Sequence, residues 1–271
     1  MELISSRNNA RVKQARALRQ RKARQETQLF LVEGIRHVGE ALEAGAPLEA
    51  IYYAPELLDS AFAQELIETA GQGGVACYAT SAQVFNSLAD KDNPQGILAV
   101  ARQVARPLHN LDGRNFPWGV ALVAPQDPGN LGTILRSIDA VGASGLIVLD
   151  SQLDLYHPSA VRASMGTLFW YPPASATFAE FVDWARRNGY HIYGTSAHAA
   201  MDYRDIERYE RPCILLMGSE RQGLSEEQAV VCDCLLRLPM RGRATSLNLA
   251  IAAGVMLYAM LERELPASAI P

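Results

Sequence analysis

Polar and charged residues are concentrated in four short segments, and each of these segments follows directly after a run of apolar residues. The segments read PQDPGNLG from residue 125, GTSAH from residue 194, GSERQG from residue 218 and PMRGRATSLN from residue 239. In the last segment, Ser246 and Asn248 stand where a loop passes into a helix, so unpaired backbone N–H groups can face a ligand there. Arg237, Arg241 and Arg243 add positive charge around the same loop. These residue types predict a ligand site in which an anion is favoured.

The elements that must position these segments are strands and helices in alternation. From Trp118 onward, the apolar runs are VALVAP, GLIVLD, YHIYGT, CILLMG and CLLRLP, and helical patterns separate all of them except YHIYGT and CILLMG. Strands that are apolar throughout and separated by helices indicate a mainly parallel sheet with both faces covered. Ligands bind such sheets at the carboxyl ends of the strands, which is where the four polar segments fall. We therefore predict one site, built from four loops at one edge of one sheet.

A smaller α/β module precedes this sheet. Its predicted strands read LFLVEG, AIYYAP and GILAVARQ, and its predicted helices cover residues 35–44, 60–70 and 81–88. The next residues are rich in Pro, Gly and Asn, show no periodicity and are predicted to be a linker. The predicted organisation is a first domain over residues 1–105, a linker over 106–116 and a second domain over 117–265.

The composition limits the class of protein. A chain of 271 residues with 49% apolar residues can bury one large core or two ordinary ones. The formal charge of -4 argues against a uniformly basic nucleic-acid coat protein, although it leaves room for a local basic patch. The N-terminus lacks the apolar core of a signal peptide and the four cysteines are scattered, so we expect a reduced, cytoplasmic protein. The longest apolar run, thirteen residues after Asn248, is too short to cross a bilayer.

Cys232 and Cys234 are separated by one residue, a spacing that also occurs in metal sites. No second pair of ligands and no nearby His completes a set of four in the sequence, so we expect core thiols on a strand and no metal. The five histidines show no paired spacing and are expected to be structural.

The first 24 positions contain eight of the 25 basic residues and a single acid, Glu2. The eight are Arg7, Arg11, Lys13, Arg16, Arg19, Arg21, Lys22 and Arg24. Asn8 or Asn9 is suited to cap a helix there, with Val12, Ala15 and either Leu18 or Arg19 at helical spacing. A one-sided basic helix is the electrostatic signature of phosphate binding. The alternative, a solvated face that balances the acidic remainder of the chain, stays open.

The last helical segment, from Leu249 to Leu261, has apolar residues on nearly every side. A helix without a polar face must be covered by other protein. We therefore predict that it packs against a second copy of the chain.

Four sequence blocks occur in a fixed order across the second half of the chain. They read NLGTILR from Asn130, RASMG from Arg162, GSERQGL from Gly218, and PM followed by SLN between Pro239 and Asn248. Each block alone is weak, but four in this order resemble the SpoU family of RNA 2'-O-ribose methyltransferases, which belongs to the SPOUT superfamily. The first domain resembles the substrate-binding domain of that family, which is similar to the ribosomal L30e fold. The resemblance therefore covers almost the whole chain.

The resemblance implies a SPOUT-type α/β fold, in which a mainly parallel sheet carries a C-terminal trefoil knot, although knots are rare in proteins. It implies S-adenosylmethionine as the cofactor, bound bent within the knot loops, and a homodimer with the last helix in the interface. The implied cofactor-binding residues are Thr195, Gly218, Leu238, Met240 and Leu247. The implied residues of the reaction centre are Arg136, Asn130, Glu220, Ser246 and Asn248. The candidates for RNA contacts are Arg7, Arg11, Lys13 and Arg16. Arg221 departs from the family pattern, which often has Gly or another small residue at that position.

In the implied reaction, a ribose 2'-hydroxyl attacks the methyl carbon of a sulfonium in line, so the enzyme supplies positioning and stabilises the developing alkoxide. Because a guanidinium is effectively always protonated, we expect Arg136 to bind the substrate phosphate and stabilise the alkoxide, while the proton leaves to a phosphate oxygen or water. Asn130 and Glu220 are expected to orient Arg136. Simpler, non-catalytic roles stay open. In these, Arg136 is a solvated helix residue, Glu220 caps a loop, and Ser246 and Asn248 cap the last helix.

The substrate that the first domain favours is ribosomal RNA, and transfer RNA is the alternative. A non-catalytic RNA-binding protein of the same fold is a second alternative. A doubly wound enzyme with a nicotinamide or flavin is a third, and the lack of GxGxxG and GxxxxGK[ST] in the sequence weighs against it and against a P-loop. The sequence does not identify the methylated nucleotide. It also does not distinguish a housekeeping role from a role in antibiotic resistance.

Overall fold

The computed structural model describes residues 3–90 and 93–263. These residues form two compact units. Unit 1 comprises the described residues up to 104 together with 156–170, and unit 2 comprises 105–155 and the described residues from 171 onward. The sequence predicts a continuous second domain from residue 117 to residue 265, whereas residues 156–170 group with unit 1. The predicted end at 265 lies outside the described residues.

The helices and strands of the described residues are labelled in chain order. The helices are α1 (Ala10–Ala17), α2 (Arg21–Thr27), α3 (Ile35–Glu43), α4 (Ala61–Gln72), α5 (Ala82–Leu88), α6 (Pro128–Val141), α7 (Pro158–Ser164), α8 (Thr167–Trp170), α9 (Phe178–Arg187), α10 (Glu226–Val230) and α11 (Leu249–Glu262). The strands are β1 (Leu29–Glu33), β2 (Leu48–Tyr53), β3 (Ala76–Ala79), β4 (Ile97–Arg102), β5 (Trp118–Val123), β6 (Gly145–Leu149), β7 (Ala174–Ala176), β8 (His191–Thr195), β9 (Met201–Asp202), β10 (Cys213–Met217) and β11 (Cys234–Arg237). Short 3-10 helices cover Pro55–Leu57, Leu108–Asn110 and Tyr203–Asp205.

Unit 1 is built on a four-stranded sheet with the strand order β1-β4-β2-β3. Strand β4 runs antiparallel to β1 and β2, and β3 runs parallel to β2. The core joins Tyr52 of β2 and Leu98 of β4 to Phe85 of α5. The predicted strands correspond to β1, β2 and β4. Strand β3 is missing from the prediction because it has only four residues, of which three are partly exposed and carry little periodic signal.

Helix α1 buries one face in unit 1. Asn9 caps it, since its side chain accepts a hydrogen bond from the backbone N–H of Arg11 at 2.9 Å. Val12, Ala15 and Leu18 are buried at helical spacing. The predicted cap and the predicted apolar face are therefore confirmed.

Residues 156–170 bring α7 and α8 into unit 1. The ring of Tyr156 lies 4.5 Å from the ring of Phe30 in β1, between centroids. Arg162 forms an ion pair with Asp90 at 2.6 Å, and its hydrogen bond holds the pKa of the Asp90 carboxyl below the usual range. The sequence assigns the RASMG block to the second domain, but its aromatic and charged partners belong to the first. Sequence order could not reveal this crossing of the chain.

Unit 2 contains a seven-stranded sheet, counted over the described residues, with the order β7-β6-β5-β10-β8-β11-β9. Every strand pair in this sheet is parallel. All residues of β5, β6 and β10 are buried, as expected for strands that are covered on both faces. The predicted mainly parallel sheet is confirmed. Strands β7 and β9, with three and two residues, were too short to be recognised in the sequence.

The segment that the sequence predicts to be a linker belongs to the core of unit 2. Leu108, Leu111 and Phe116 are buried in one apolar cluster with Trp184 and Tyr190. The Trp184 indole N–H donates to the carbonyl oxygen of Leu111 at 2.8 Å, and the Tyr190 hydroxyl donates to that of Phe116 at 2.7 Å. Burial in this cluster raises the pKa of Tyr190. Pro and Gly residues hide the apolar spacing of the segment, which is why the sequence suggests an irregular tether.

Helix α11 packs against α6 and β10 and leaves one face uncovered. Ala253 and Met256 are fully buried, whereas Ile251, Val255 and Tyr258 are exposed at helical spacing. The chain itself thus covers only part of the predicted apolar surface of this helix. In the part of the chain that the structure describes, no helix is long and apolar enough to cross a membrane.

Candidate active site at the carboxyl edge of the parallel sheet

Four neighbouring strands of unit 2 end at the same edge of the sheet because they are parallel. They are β5, β10, β8 and β11, adjacent in that order. Each is followed by one of the four polar segments. From β5 the chain continues to its neighbour β6 and then to β7 at one end of the sheet, whereas β10 is the neighbour of β5 on its other side. The β5–β10 boundary is therefore a topological switch point, where open α/β sheets bind ligands. The predicted clustering of the four segments is confirmed.

The carboxylate of Glu220 joins the loop after β10 to the loop after β5. It accepts hydrogen bonds from the backbone N–H of Gln126 at 3.1 and 3.3 Å and from that of Asp127 at 3.3 Å. It also accepts one from the side-chain amide of Asn130 at 3.1 Å. Hydrogen bonds to a charged acceptor are stronger than neutral ones. Glu220 therefore fixes these two loops relative to each other.

Asn130 extends the connection to the last loop. It is 7% exposed, and its amide oxygen accepts a hydrogen bond from the side-chain amide of Asn248 at 2.9 Å. The other end of Asn248 caps α11, because its oxygen accepts from the backbone N–H of Ala250 at 2.9 Å and of Ile251 at 3.3 Å. One chain of hydrogen bonds, Asn248 to Asn130 to Glu220, thus ties together the loops after β11, β5 and β10. We call this chain the amide–carboxylate network.

The local sequence explains why Asn130 stands at this place. Asp127 caps α6, since its side chain accepts a hydrogen bond from the backbone N–H of Gly129 at 2.7 Å. Pro128 occupies the first turn of the helix, where its missing N–H costs nothing. The pair fixes where α6 begins, and Asn130 then lies in the first helical turn. The backbone N–H groups of Gln126 and Asp127 were missed as site groups, and the Asp-Pro helix start was the signal that could have revealed them.

The turn after β10 is closed by the main chain. The backbone N–H of Gly223 donates to the carbonyl oxygen of Ser219 at 2.9 Å. Gly223 has φ +67°, a conformation that favours glycine. A Cβ on Gly218 would lie 1.9 Å from the carbonyl carbon of Gly223. A capping box of Ser225 and Gln228 follows this turn and opens α10.

Replacing Gly218 with Ala should displace this turn and weaken cofactor binding at least tenfold. The added Cβ meets backbone atoms, which cannot move aside as a flexible side chain can. Isothermal titration with S-adenosylmethionine measures the effect. Gly242→Ala is the matched control, because Gly242 lies in the loop after β11 and a Cβ there would meet nothing within 4 Å. Equal affinities of the two variants would contradict a tight main-chain cradle at Gly218.

The residues expected to bind the cofactor all belong to the loops at this edge. Thr195 ends β8 and is partly buried, Gly218 follows β10, and Leu238 follows β11. Met240 and Leu247 lie farther along the loop after β11, and Leu247 is 39% exposed. Strand adjacency therefore brings three of the five residues to neighbouring strand ends.

Two residues expected in the reaction centre stand outside the amide–carboxylate network. Ser246 is exposed and, among the described residues, makes no hydrogen bond, so the cap of α11 is Asn248 alone. Arg136 is exposed on α6 and has no hydrogen-bond or ion-pair partner within residues 3–90 and 93–263. It lies six residues beyond Asn130, which is about 240° around the helix and about 9 Å along it. The expectation that Asn130 and Glu220 orient Arg136 is therefore not met within one chain.

The basic residues near the N-terminus lie in unit 1 and differ in their surroundings. Arg7 donates through Nε to the carbonyl oxygen of Gln83 at 3.3 Å, and the guanidinium of Arg11 lies 4.9 Å from the centroid of the Tyr78 ring. Lys13 is exposed and Arg16 partly so. Of the eight basic residues in the first 24 positions, Arg24 is buried. It is 2% exposed, and its guanidinium donates to the carbonyl oxygen of Leu18 at 2.6 Å. The sequence pattern could not distinguish Arg24 from its exposed neighbours.

The two thiols expected in the core on a strand are only partly buried, and of the two only Cys234 lies in a strand, β11. Burial, with smaller contributions from Asp233 and Cys234, raises the pKa of Cys232 to about 12. Burial also raises the pKa of Cys234, and the Cys234 thiol lies 3.4 Å from the sulfur of Met201. Across the described ranges, no group of three or more His, Cys, Asp or Glu side chains is arranged to hold a metal ion.

A parallel α/β sheet with hydrogen-bonded polar loops at its switch point is typical of α/β proteins that bind a ligand at the carboxyl edge of the sheet. Residues 117–258 match the family model described as the SpoU rRNA Methylase family, and residues 9–99 match the MRM3-like substrate binding domain. The chain belongs to the SpoU rRNA methylase family.

Known proteins resemble this chain over nearly its full length. It is 36% identical over 263 residues to a 23S rRNA (uridine(2479)-2'-O)-methyltransferase of Streptomyces viridochromogenes, which covers 94% of this chain and 90% of that protein. It is 30% identical over 258 residues to a 23S rRNA (guanosine(2553)-2'-O)-methyltransferase of Bacillus subtilis (strain 168), with 95% and 98% covered. The structure of an AdoMet-bound rRNA methyltransferase from Sinorhizobium meliloti is similar with a TM-score of 0.88 and 36% identity, covering 98% of this chain and 99% of that one. These comparisons confirm the family that the four sequence blocks indicate.

Proposed function

We propose that the chain transfers a methyl group from S-adenosylmethionine to a ribose 2'-hydroxyl of ribosomal RNA, and that it does so in the cytoplasm. The observation that carries the proposal is the amide–carboxylate network, which joins three strand-end loops at the switch point of the sheet. The two curated relatives described above are named as 23S rRNA 2'-O-methyltransferases and match almost the whole chain. Their names favour ribosomal RNA over transfer RNA as the substrate.

The residues at the strand ends fit S-adenosylmethionine, which when bound supplies an electrophilic methyl carbon. Thr195, Gly218 and Leu238 end or follow three adjacent strands and would hold it largely through backbone groups. The missing side chain at Gly218 leaves a cradle made of main chain, which a Cβ would fill. Met240 and Leu247 would add apolar contacts. The cradle suits a ligand recognised by backbone groups at a strand edge.

Arg136 is proposed to bind a phosphate of the RNA and to stabilise the negative charge that develops on the ribose oxygen. A guanidinium stays protonated, so it acts by charge and hydrogen bonding, and the 2'-hydroxyl proton passes to a phosphate oxygen or to water. Its exposed side chain is free to meet a substrate, as no described residue forms an ion pair with it. Asn130, Glu220 and Asn248 are proposed to hold the loops in place, and Ser246 to contact the reacting groups.

Transfer of tritium from methyl-labelled S-adenosylmethionine tests this function. We expect label in ribosomal RNA and none in transfer RNA, at a single nucleotide whose 3' bond resists alkali, because a methylated 2'-oxygen cannot attack the neighbouring phosphate. Label in a base, or in transfer RNA alone, would contradict the proposal. Binding of RNA without any transfer would identify a non-catalytic RNA-binding protein instead.

We also propose that the segment from β10 to α11 forms the trefoil knot that the family resemblance implies. Strand β10 follows β8 in the sequence but lies between β5 and β8 in the sheet, and β11 then lies beyond β8. The chain therefore returns to the middle of the sheet after β8 is laid down. This order supports a threaded connection.

A homodimer through α11 is a further part of the proposal. The exposed residues Ile251, Val255 and Tyr258 form an apolar stripe beside Thr133 and Ser137 of α6. Three large apolar side chains at helical spacing on one exposed face are typical of a protein–protein contact. Arg136 precedes Ser137 on α6, so a dimer formed here would border the proposed reaction centre.

Val255→Glu should convert the dimer into a monomer, because it places a charge in the middle of the apolar stripe. Sedimentation velocity at micromolar concentration measures the change, and circular dichroism checks the fold. The control is Val230→Glu on α10, since Val230 is 83% exposed and lies outside the stripe. A Val255→Glu protein that still sediments as a dimer would rule out this interface.

Unit 1 is proposed to grip the RNA through its basic N-terminal surface. Replacing Arg7, Arg11 and Lys13 with Gln should weaken RNA binding and lower the slope of log Kd against log salt by about 2 to 3, since each phosphate contact contributes about 0.7–0.9. Filter binding between 50 and 300 mM salt, roughly the range in which such slopes are resolved, measures it. Arg36→Gln is the control, because Arg36 is exposed on α3 beside Glu40. An unchanged slope in the triple variant would show that this surface is not the RNA grip.

A further inference from the structure

The turn after β10 carries an arginine, Arg221, at its centre. The turn is closed by the hydrogen bond from Gly223 to Ser219 at 2.9 Å, and the same two residues form a β-bridge. Glu220 precedes Arg221 and accepts hydrogen bonds from the loop after β5 and from α6. Gly218 is packed against the backbone of Gly223. The backbone at Arg221 is therefore fixed on both sides, directly beside the amide–carboxylate network.

The side chain of Arg221 is unpaired although its backbone is fixed. It is exposed, and within the stretches 3–90 and 93–263 it makes no hydrogen bond or ion pair. Arg241 and Arg243, in the loop after β11, are likewise exposed and unpaired among those residues. Glu220, the nearest acid in sequence, is occupied by its own hydrogen bonds. Unpaired guanidinium groups at one edge create a local positive potential that attracts a polyanion.

We propose that Arg221 binds a phosphate of the substrate RNA next to the methylated nucleotide, and so sets the register of the RNA strand on the site. This inference rests on the proposed function. A planar guanidinium donates two parallel hydrogen bonds to a phosphate, and a fixed backbone lowers the entropy lost on binding.

Arg221→Gln tests the proposal because it removes the charge and keeps much of the side-chain length. We expect the Kd for in-vitro-transcribed 23S ribosomal RNA and the KM for RNA to rise about 3- to 10-fold, with kcat at saturating RNA unchanged. The slope of log Kd against log salt should fall by about 0.7–0.9, the share of one phosphate. Arg221→Lys should restore the slope but only part of the affinity, since an ammonium lacks the bidentate geometry.

Arg186→Gln is the matched control. Arg186 is exposed and unpaired in the described part of the chain, but it lies at the end of α9, shortly before β8 begins, at the opposite edge of the sheet. If Arg221→Gln changes RNA affinity no more than this control does, the proposal is overturned. A loss confined to the Kd for S-adenosylmethionine would also overturn it, because the guanidinium would then bind the carboxylate of the cofactor. If the unaltered protein methylates no RNA, the proposed function fails, and the comparison of RNA Kd values still decides the role of Arg221.

Discussion

Replacing Arg136 with Ala should lower the rate of methyl transfer at least about 1000-fold, while the Kd for S-adenosylmethionine changes less than twofold. Removing a group that stabilises developing charge in a transition state costs about 10²- to 10³-fold, and the loss of a phosphate contact adds to that. Arg136 has no partner among the described residues, so its removal should leave the melting temperature almost unchanged. Single-turnover tritium transfer and isothermal titration measure the two quantities.

Two further variants make this result specific. Arg136→Lys keeps the charge but loses the planar fork, and we expect it to recover only a small part of the rate. Arg186→Ala, at an exposed arginine at the end of α9, should transfer methyl groups at the normal rate. A turnover of Arg136→Ala close to that of the unaltered protein would rule out the proposed mechanism.

Replacing Glu220 with Gln should lower kcat/KM about 30- to 700-fold. The carboxylate accepts from the two backbone N–H groups of Gln126 and Asp127 and from the amide of Asn130. An amide has one acceptor oxygen instead of two, and an NH₂ group in the place of Oε2 would oppose the backbone N–H of Gln126, which lies 3.1 Å from that oxygen. Hydrogen bonds to charged groups contribute about 1.5–3 kcal/mol each, which makes a loss of about 2–4 kcal/mol reasonable for the network. The effect should appear in both the cofactor Kd and the rate, because the loops that it joins hold the residues proposed for both functions.

The control for Glu220 lies a few residues away. Glu227 is exposed in the first turn of α10, outside the amide–carboxylate network, and Glu227→Gln should leave kcat/KM within a factor of two. Asn130→Asp tests the other side of the same contact, because it would place a second carboxylate against Glu220. It should lower kcat/KM at least as much as Glu220→Gln does. If Glu220→Gln retains full activity and cofactor affinity, the network does not organise the site.

The alternation of apolar runs and polar segments was enough to predict the sheet and the edge at which the four polar segments meet. Strands β5, β6 and β10 are apolar throughout, which indicates a parallel sheet, and the carboxyl ends of parallel strands lie at one edge. The roles of Gly218 and Asn248 were also within reach, because a closed turn and a helix cap have local sequence signals. What each residue does to its neighbours in sequence was therefore predictable.

What could not be predicted depends on contacts between distant parts of the chain. Arg162 pairs with Asp90, although the sequence places them in different domains, and Phe116 of the expected linker is fully buried. Arg24 resembles its basic neighbours in sequence but is buried. In each case, tertiary packing determines whether the residue is buried or paired, which the sequence alone did not show.

The amide–carboxylate network also has a consequence for the time at which the protein becomes active. Its hydrogen bonds join residues that are 90 and 118 positions apart, and its last member in sequence, Asn248, stands at the start of α11. During synthesis, the loops after β5 and β10 leave the ribosome before Asn248 is available to form its hydrogen bond to Asn130. A nascent chain can thus pair β5 with β10 before Asn248 is present, and these loops are tied to the loop after β11 only once the chain has been translated as far as α11.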